Sequence, residues 1–273
     1  MMSKSLLTKA VQWLCGMAAD PKDRWLLLRG LTRESAHWGE FIPKFQAAFP
    51  NEDLHTLDLP GTGVNFREKS PATVHAITEQ VRKEASEMAW LEDGPVKLLA
   101  ISLGGMIAWD WLQNHPVEIK SAVLINISLA GVNPFYERLR WQCYPATFKL
   151  LTANSYYQRE LEIIKLVSNR TENYEALAQD WSLIQQLRPV STKNATNQLL
   201  AAARYRPAAS TPLMPVLLLN SRGDRMVEPC CTESIADRWN LPYRTHPSAG
   251  HELCLDDGDW VINQIETWRL SHT

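Results

Sequence analysis

The chain has 273 residues, a formal net charge of −2 and 45% hydrophobic residues, enough to bury a sizeable core in one large domain or one domain with an insertion. No basic excess or stripe marks a nucleic-acid surface, and no run of about 18 apolar residues marks a membrane-spanning helix. The five cysteines form an odd set with neither C-x-x-C pairs nor histidines at zinc spacing. They read as mostly buried thiols in a reducing, cytoplasmic compartment, with no metal and with Cys230–Cys231 partly exposed.

Leu7, Ala10, Val11, Leu14, Met17 and Ala18 follow the spacing of an amphipathic helix, expected to pack on the protein's own core and to cover a sheet edge. A strand is expected at residues 25–28, then a helix at 36–49 interrupted near Pro43. A second strand at 53–57 runs into Asp58-Leu59-Pro60-Gly61-Thr62-Gly63. Pro71 is expected to open a long helix reaching about residue 90, since proline suits a first turn. The apolar run 96–101 leads straight into Ser102-Leu103-Gly104-Gly105, after which 106–112 reads as a helix. A strand at 122–126 follows.

Between residues 130 and 207 the strand–helix rhythm stops. Helical patterns at 135–151, 156–168, 172–187 and 192–205 read as a four-helix cap, residues 131–207, inserted into a core made of 1–130 and 208–273. A strand at 215–220, a weaker one at 243–245 and a helix from 259 to about 270 complete the chain. Near-continuous Leu/Val/Ile strands alternating with helices mean an α/β fold whose mostly parallel sheet of about six strands is covered by helices on both faces.

Chemistry concentrates at the C-terminal ends of these strands, where open parallel sheets bind ligands. A strand that turns within one or two residues into a helix can hold Ser102 at a strained backbone position with its hydroxyl exposed. Ala100 and Gly104 supply the small residues that such a close approach needs. Taken alone, the motif fits a nucleophile or a tight turn. Asp224 lies just past the strand at 215–220, and His251 lies in a glycine-containing loop after the last strand. A serine hydroxyl needs a base to take its proton; histidine suits that near neutral pH, and a carboxylate orients it. Asp256, Asp257 and Asp259 compete with Asp224, but their place before a helix suits capping.

Arg29-Gly30-Leu31 with Trp38 downstream, Asp58-Leu59-Pro60-Gly61-Thr62-Gly63, Ser102-Leu103-Gly104-Gly105, Gly223-Asp224 and Gly250-His251 occur in that order. In these motifs, spread over residues 25–130 and 208–270, the chain resembles the serine hydrolases of the α/β-hydrolase superfamily that carry a helical cap. That group includes small carboxylesterases and pimeloyl-carrier-protein methyl ester esterases. The resemblance implies Ser102 as nucleophile, His251 as general base and then acid, and Asp224 as its orienter. It places the oxyanion hole at the backbone N–H groups of Leu31 and Leu103. It implies cleavage of a carboxylic ester or thioester of a small-molecule or carrier-bound acyl group, without cofactor or metal. A C–C bond hydrolase, a peptidase, an acyltransferase or a non-catalytic receptor would use the same framework.

Two departures from the family pattern stand out. Arg29-Gly30 replaces the usual His-Gly, and with about 24 residues before Trp25 the two antiparallel strands that normally open the sheet are expected to be missing. Trp38, Trp141, Tyr144 and Phe148 are the candidates for the substrate pocket. Arg138, Arg140 and Arg159 are candidate contacts for an acidic carrier or carboxylate. Arg33 and Glu34 are expected as a surface ion pair, and His246 and His272 as solvated or turn residues.

Overall fold

The computed structural model describes residues 22–170 and 172–271. The amphipathic pattern at 7–18 and His272 lie outside them. Among the described residues six strands form one sheet: β1 (Arg24–Leu28), β2 (Asp53–Leu57), β3 (Val96–Ile101), β4 (Ile119–Ile125), β5 (Val216–Ser221) and β6 (Tyr243–His246). Their order is β2-β1-β3-β4-β5-β6, and every neighbouring pair is parallel.

The strands read as continuous apolar runs because both faces are buried. Leu26, Leu98, Leu124 and Leu218 point to one side, where α2 (Val74–Glu87), α3 (Leu103–Asn114) and α9 (Cys230–Trp239) pack. Leu27, Leu99, Val123 and Leu217 point to the other, against α1 (Phe41–Ala48) and α11 (Gly258–Leu270). This is the period-two alternation of a strand, with an apolar residue at each step. A short helix, α10 (Leu253–Asp256), precedes α11.

Among the described residues, five helices lie between β4 and β5 where four were expected: α4 (Phe135–Arg138), α5 (Cys143–Thr152), α6 (Tyr156–Val167), α7 (Tyr174–Leu187) and α8 (Thr192–Arg204). The first predicted helix splits because Leu139 is extended (φ −141°, ψ 95°) and the Arg140 N–H donates to the Met226 carbonyl at 2.9 Å. Other boundaries shift for similarly local reasons. The break in 36–49 falls at Gly39, with φ +49°, while Pro43 sits in the first turn of α1, where its missing N–H costs nothing. Pro71 does not open a helix; the Thr73 side chain caps α2 by accepting from the Ala76 N–H at 3.4 Å.

Candidate functional site

The chain leaves β1 for β2 on one side and returns to β3 on the other, so the strand order reverses between β1 and β3. Such a reversal opens a crevice beyond the strands' C-terminal ends. The loop after β1 contains Gly30 and Leu31, and β3 ends at Ser102. Ser102 has φ 55° and ψ −117°, a conformation that costs a non-glycine residue on the order of 1–3 kcal/mol. Its N–H donates to the Ile125 carbonyl at 2.9 Å and its carbonyl accepts from the Met106 N–H at 3.1 Å, so the strain is held from both sides. Gly104 permits the turn: a Cβ there would lie 2.5 Å from the Arg29 carbonyl oxygen. At Gly30 a Cβ would lie 3.3 Å from that of Ser102.

His251 and Asp224 are buried together, with Nδ1 of the imidazole 2.7 Å from Oδ2 of the carboxylate. Oδ1 of Asp224 accepts from the N–H groups of Met226 at 2.7 Å and Val227 at 3.0 Å, which fixes its orientation. Asn126, on the turn after β4, donates to the His251 carbonyl at 2.8 Å. Burial works against the imidazolium, but the charge and hydrogen bond of Asp224, with Glu252 adding to them, carry the His251 pKa above its ordinary value of 6.5. The competing carboxylates are engaged elsewhere. Asp256 accepts from Ser168 and Gly250, Asp257 caps α11 through the Trp260 N–H, and Asp259 pairs with Lys44.

Leu103 is the first residue of α3, so its N–H has no partner within the helix. Leu31 lies in a loop held by ties that sequence reasoning missed. The Thr32 N–H donates to Oε1 of Gln198 on α8 at 2.9 Å, and Nε2 of the same amide donates to the Pro60 carbonyl at 3.2 Å. Arg33 and Glu34 are buried and do not pair with each other. Arg33 pairs with Glu160 of α6 at 2.7 Å, and Glu34 holds Arg188, just beyond α7, in a forked contact. Arg29 stacks over Trp38 at 4.7 Å and meets Glu252 at 2.9 Å, an ion pair off hydrogen-bond angle. A charge placed where β1 enters a buried crevice was the available signal, because it requires a carboxylate nearby.

Ser102 and His251 line one cavity of about 130 Å³, together with Leu31, Arg33 and Glu252 and with Leu150, Ile163, Leu166, Val167 and Met226. No hydrogen bond joins Ser102 Oγ to His251; such contacts commonly tighten only when substrate is bound.

The four predicted pocket aromatics lie elsewhere. Trp141, Tyr144 and Phe148 are 69%, 50% and 68% exposed. On α5, advancing about 100° per residue, Tyr144 and Phe148 share one outward face, with Trp141 in the turn before it, while Cys143 and Leu150 share the inward one. Trp38 is buried in the core against Phe41. It borders a separate cleft of about 600 Å³ between α1, α7 and α11, which contains neither Ser102 nor His251. Arg138 and Arg140 turn inward onto the carbonyls of Ala202, Ala203 and Asp224, leaving Arg159 exposed. His246 is buried, accepts from the N–H groups of Ser248 and Ala249, and pairs with Asp257.

A family model described as the alpha/beta hydrolase fold matches residues 26–258. A curated relative, the "Putative non-heme bromoperoxidase BpoC" of Mycobacterium tuberculosis, is 25% identical over 216 residues, covering 77% of this chain and 79% of its own. The crystal structure of that protein superposes with a TM-score of 0.70 at 20% identity, covering 93% of this chain and 94% of the other. A membrane phospholipase A described as a bacterial virulence factor gives a TM-score of 0.74 at 18% identity, over 93% and 80% of the two chains. A thermophilic esterase from Thermogutta terrifontis gives 0.65 at 17% identity, over 92% and 91%. At these identities the superpositions establish the fold. Among the described residues, no helix is long and apolar enough to cross a membrane.

Proposed function

Because the chain belongs to the α/β-hydrolase fold family, we propose that it is a serine hydrolase that cleaves a carboxylic ester or thioester through an acyl-enzyme. The observation that carries this reading is the convergence, at the reversal of strand order, of a strained Ser102 with a buried His251 bonded to Asp224.

Ser102 Oγ attacks the acyl carbonyl while Nε2 of His251 takes its proton. Asp224 keeps the other ring nitrogen protonated and stabilises the imidazolium. The tetrahedral oxyanion is received by the N–H groups of Leu31 and Leu103, each contributing on the order of 3 kcal/mol. His251 then protonates the leaving alcohol or thiol and activates water for deacylation.

The helices α4–α8 act as a cap, with α5 and α6 contributing Leu150, Ile163, Leu166 and Val167 to the cavity. That lining is apolar and its charged members are already paired, so it suits a neutral, compact acyl group. A volume of about 130 Å³ is slightly below the roughly 150 Å³ apolar cavity that accepts benzene, which points to about six heavy atoms.

The test is labelling with a fluorescent fluorophosphonate, wild type against Ser102→Ala, beside a p-nitrophenyl ester series from acetate to decanoate. The expected result is labelling that vanishes in the variant, with turnover highest for short acyl chains. Folded protein that takes no label would overturn the acyl-enzyme reading in favour of a non-catalytic receptor. An optimum at decanoate would overturn the compact acyl group alone.

A further inference from the structure

Helix α9 opens with two adjacent cysteines, Cys230 and Cys231, and Glu137 of α4 lies over them. The two sulfurs and a carboxylate oxygen are all within 4.8 Å of one another. The backbone holds them there: the Glu228 N–H donates to the Glu137 carbonyl at 2.8 Å, and Arg140 pairs with Glu228 at 2.8 Å. Cys231 is buried while Cys230 and Glu137 are half-buried, so the cluster has a closed inner wall and an accessible side. Sequence spacing could not reveal it, because the carboxylate comes from another element.

A second observation concerns charge. Arg138 donates to the carbonyls of Ala202 at 2.6 Å and Ala203 at 3.0 Å, and its Nε has no partner. No carboxylate pairs with it among the described residues. Arg138 directly follows Glu137, so a partly buried cation without a carboxylate partner stands beside the cluster, and an anionic centre there would offset its charge.

We propose that Cys230, Cys231 and Glu137 bind one borderline-soft divalent cation of the zinc type, with water as fourth ligand. Two thiolates and a carboxylate suit such an ion, with metal–sulfur distances of about 2.3 Å and metal–oxygen distances of about 2.0–2.2 Å. Tetrahedral coordination at those lengths places neighbouring ligand atoms about 3.5–3.8 Å apart, a small closure of the present cluster. Binding replaces two S–H protons, which are released to solvent. The complex then carries one net negative charge, opposite Arg138. The ion rivets α4 to α9, immediately beyond the loop that carries Asp224. This inference is independent of the proposed hydrolysis.

The test is titration of the full chain with Co2+, a visible-absorbing substitute for Zn2+. The expected result is one Co2+ per chain with the intense absorption of tetrahedral thiolate-bound cobalt, bleached by Zn2+. Cys230→Ser and Glu137→Gln, both at half-buried positions, should each weaken binding at least tenfold with unchanged circular dichroism. Zn2+ should protect Cys230 from alkylation by iodoacetamide. Absence of the thiolate band up to millimolar Co2+ would overturn the proposal. So would binding of equal strength in both variants, which would place the ion elsewhere.

Discussion

In the sheet, Leu26, Leu98, Leu124 and Leu218 are all 0% exposed, and each touches further apolar side chains from the helices on its face. The inserted helices bury a much smaller cluster of their own, Ile164, Val167, Ala178 and Trp181. Three polar ties join them to the loop after β1: Arg33 to Glu160, Arg188 to Glu34, and Gln198 to Thr32. Apolar burial is proportional to area and nearly indifferent to direction, which suffices to stack a sheet. Ion pairs and amide hydrogen bonds are directional, and all three ties end on the loop that presents Leu31. The insertion therefore shapes the cavity and also positions one side of the proposed oxyanion hole.

The largest losses are expected at the residues the sheet positions. His251→Ala should lower kcat by about 10⁶-fold, as loss of one member of a cooperating unit does, with the thermal transition largely retained. Asp224→Asn preserves shape but leaves the ring in the wrong tautomer, so a loss of about 10⁴-fold in kcat is expected. Steady-state kinetics on a short-chain ester would check both. A residual activity near wild type in either variant would remove that residue from the mechanism.

The insertion should instead respond in stability. Glu160→Gln leaves the Arg33 guanidinium buried without its carboxylate, which should cost about 3–5 kcal/mol in urea unfolding. A loss under 1 kcal/mol would mean that the tie does not hold the loop. A smaller effect at the residues the sheet positions is read through pH. His251 must be neutral to act as base, and its pKa is raised above 6.5, so activity should fall on the acid side with a midpoint above that value. Glu252 is one of the charges that raise it, hence Glu252→Gln should move the acid limb toward lower pH. A limb that stays in place would separate Glu252 from the titration. The smallest effect belongs to the exposed face of α5: Phe148→Ala should change stability by no more than about 0.5 kcal/mol and leave the acyl-chain optimum unshifted.

Much of the core was legible because its signals are local. A run of apolar residues bounded by turns is a buried strand wherever it lies, and the strand–serine–glycine–helix turn of Ser102 states its geometry in four residues. The cavity wall was not legible. The spacing of Trp141, Tyr144 and Phe148 is that of one helical face, but nothing in it says whether that face turns in or out. Arg33 and Glu34 are adjacent in sequence, which suggested a pair, yet their partners stand 127 and 154 residues further along the chain.

The parallel sheet, the helices between β4 and β5, and the order of Ser102, Asp224 and His251 at strand ends follow from the residues alone, because hydrophobic period and turn chemistry act over a few residues. Packing of distant segments brings Asp224 and no neighbouring aspartate to His251, gives Glu252 and Glu160 to Arg29 and Arg33, and lines the cavity with aliphatic residues of α5 and α6. Those outcomes depend on which distant groups become neighbours when the chain packs, and buried charges accept only partners that packing brings within a few ångströms.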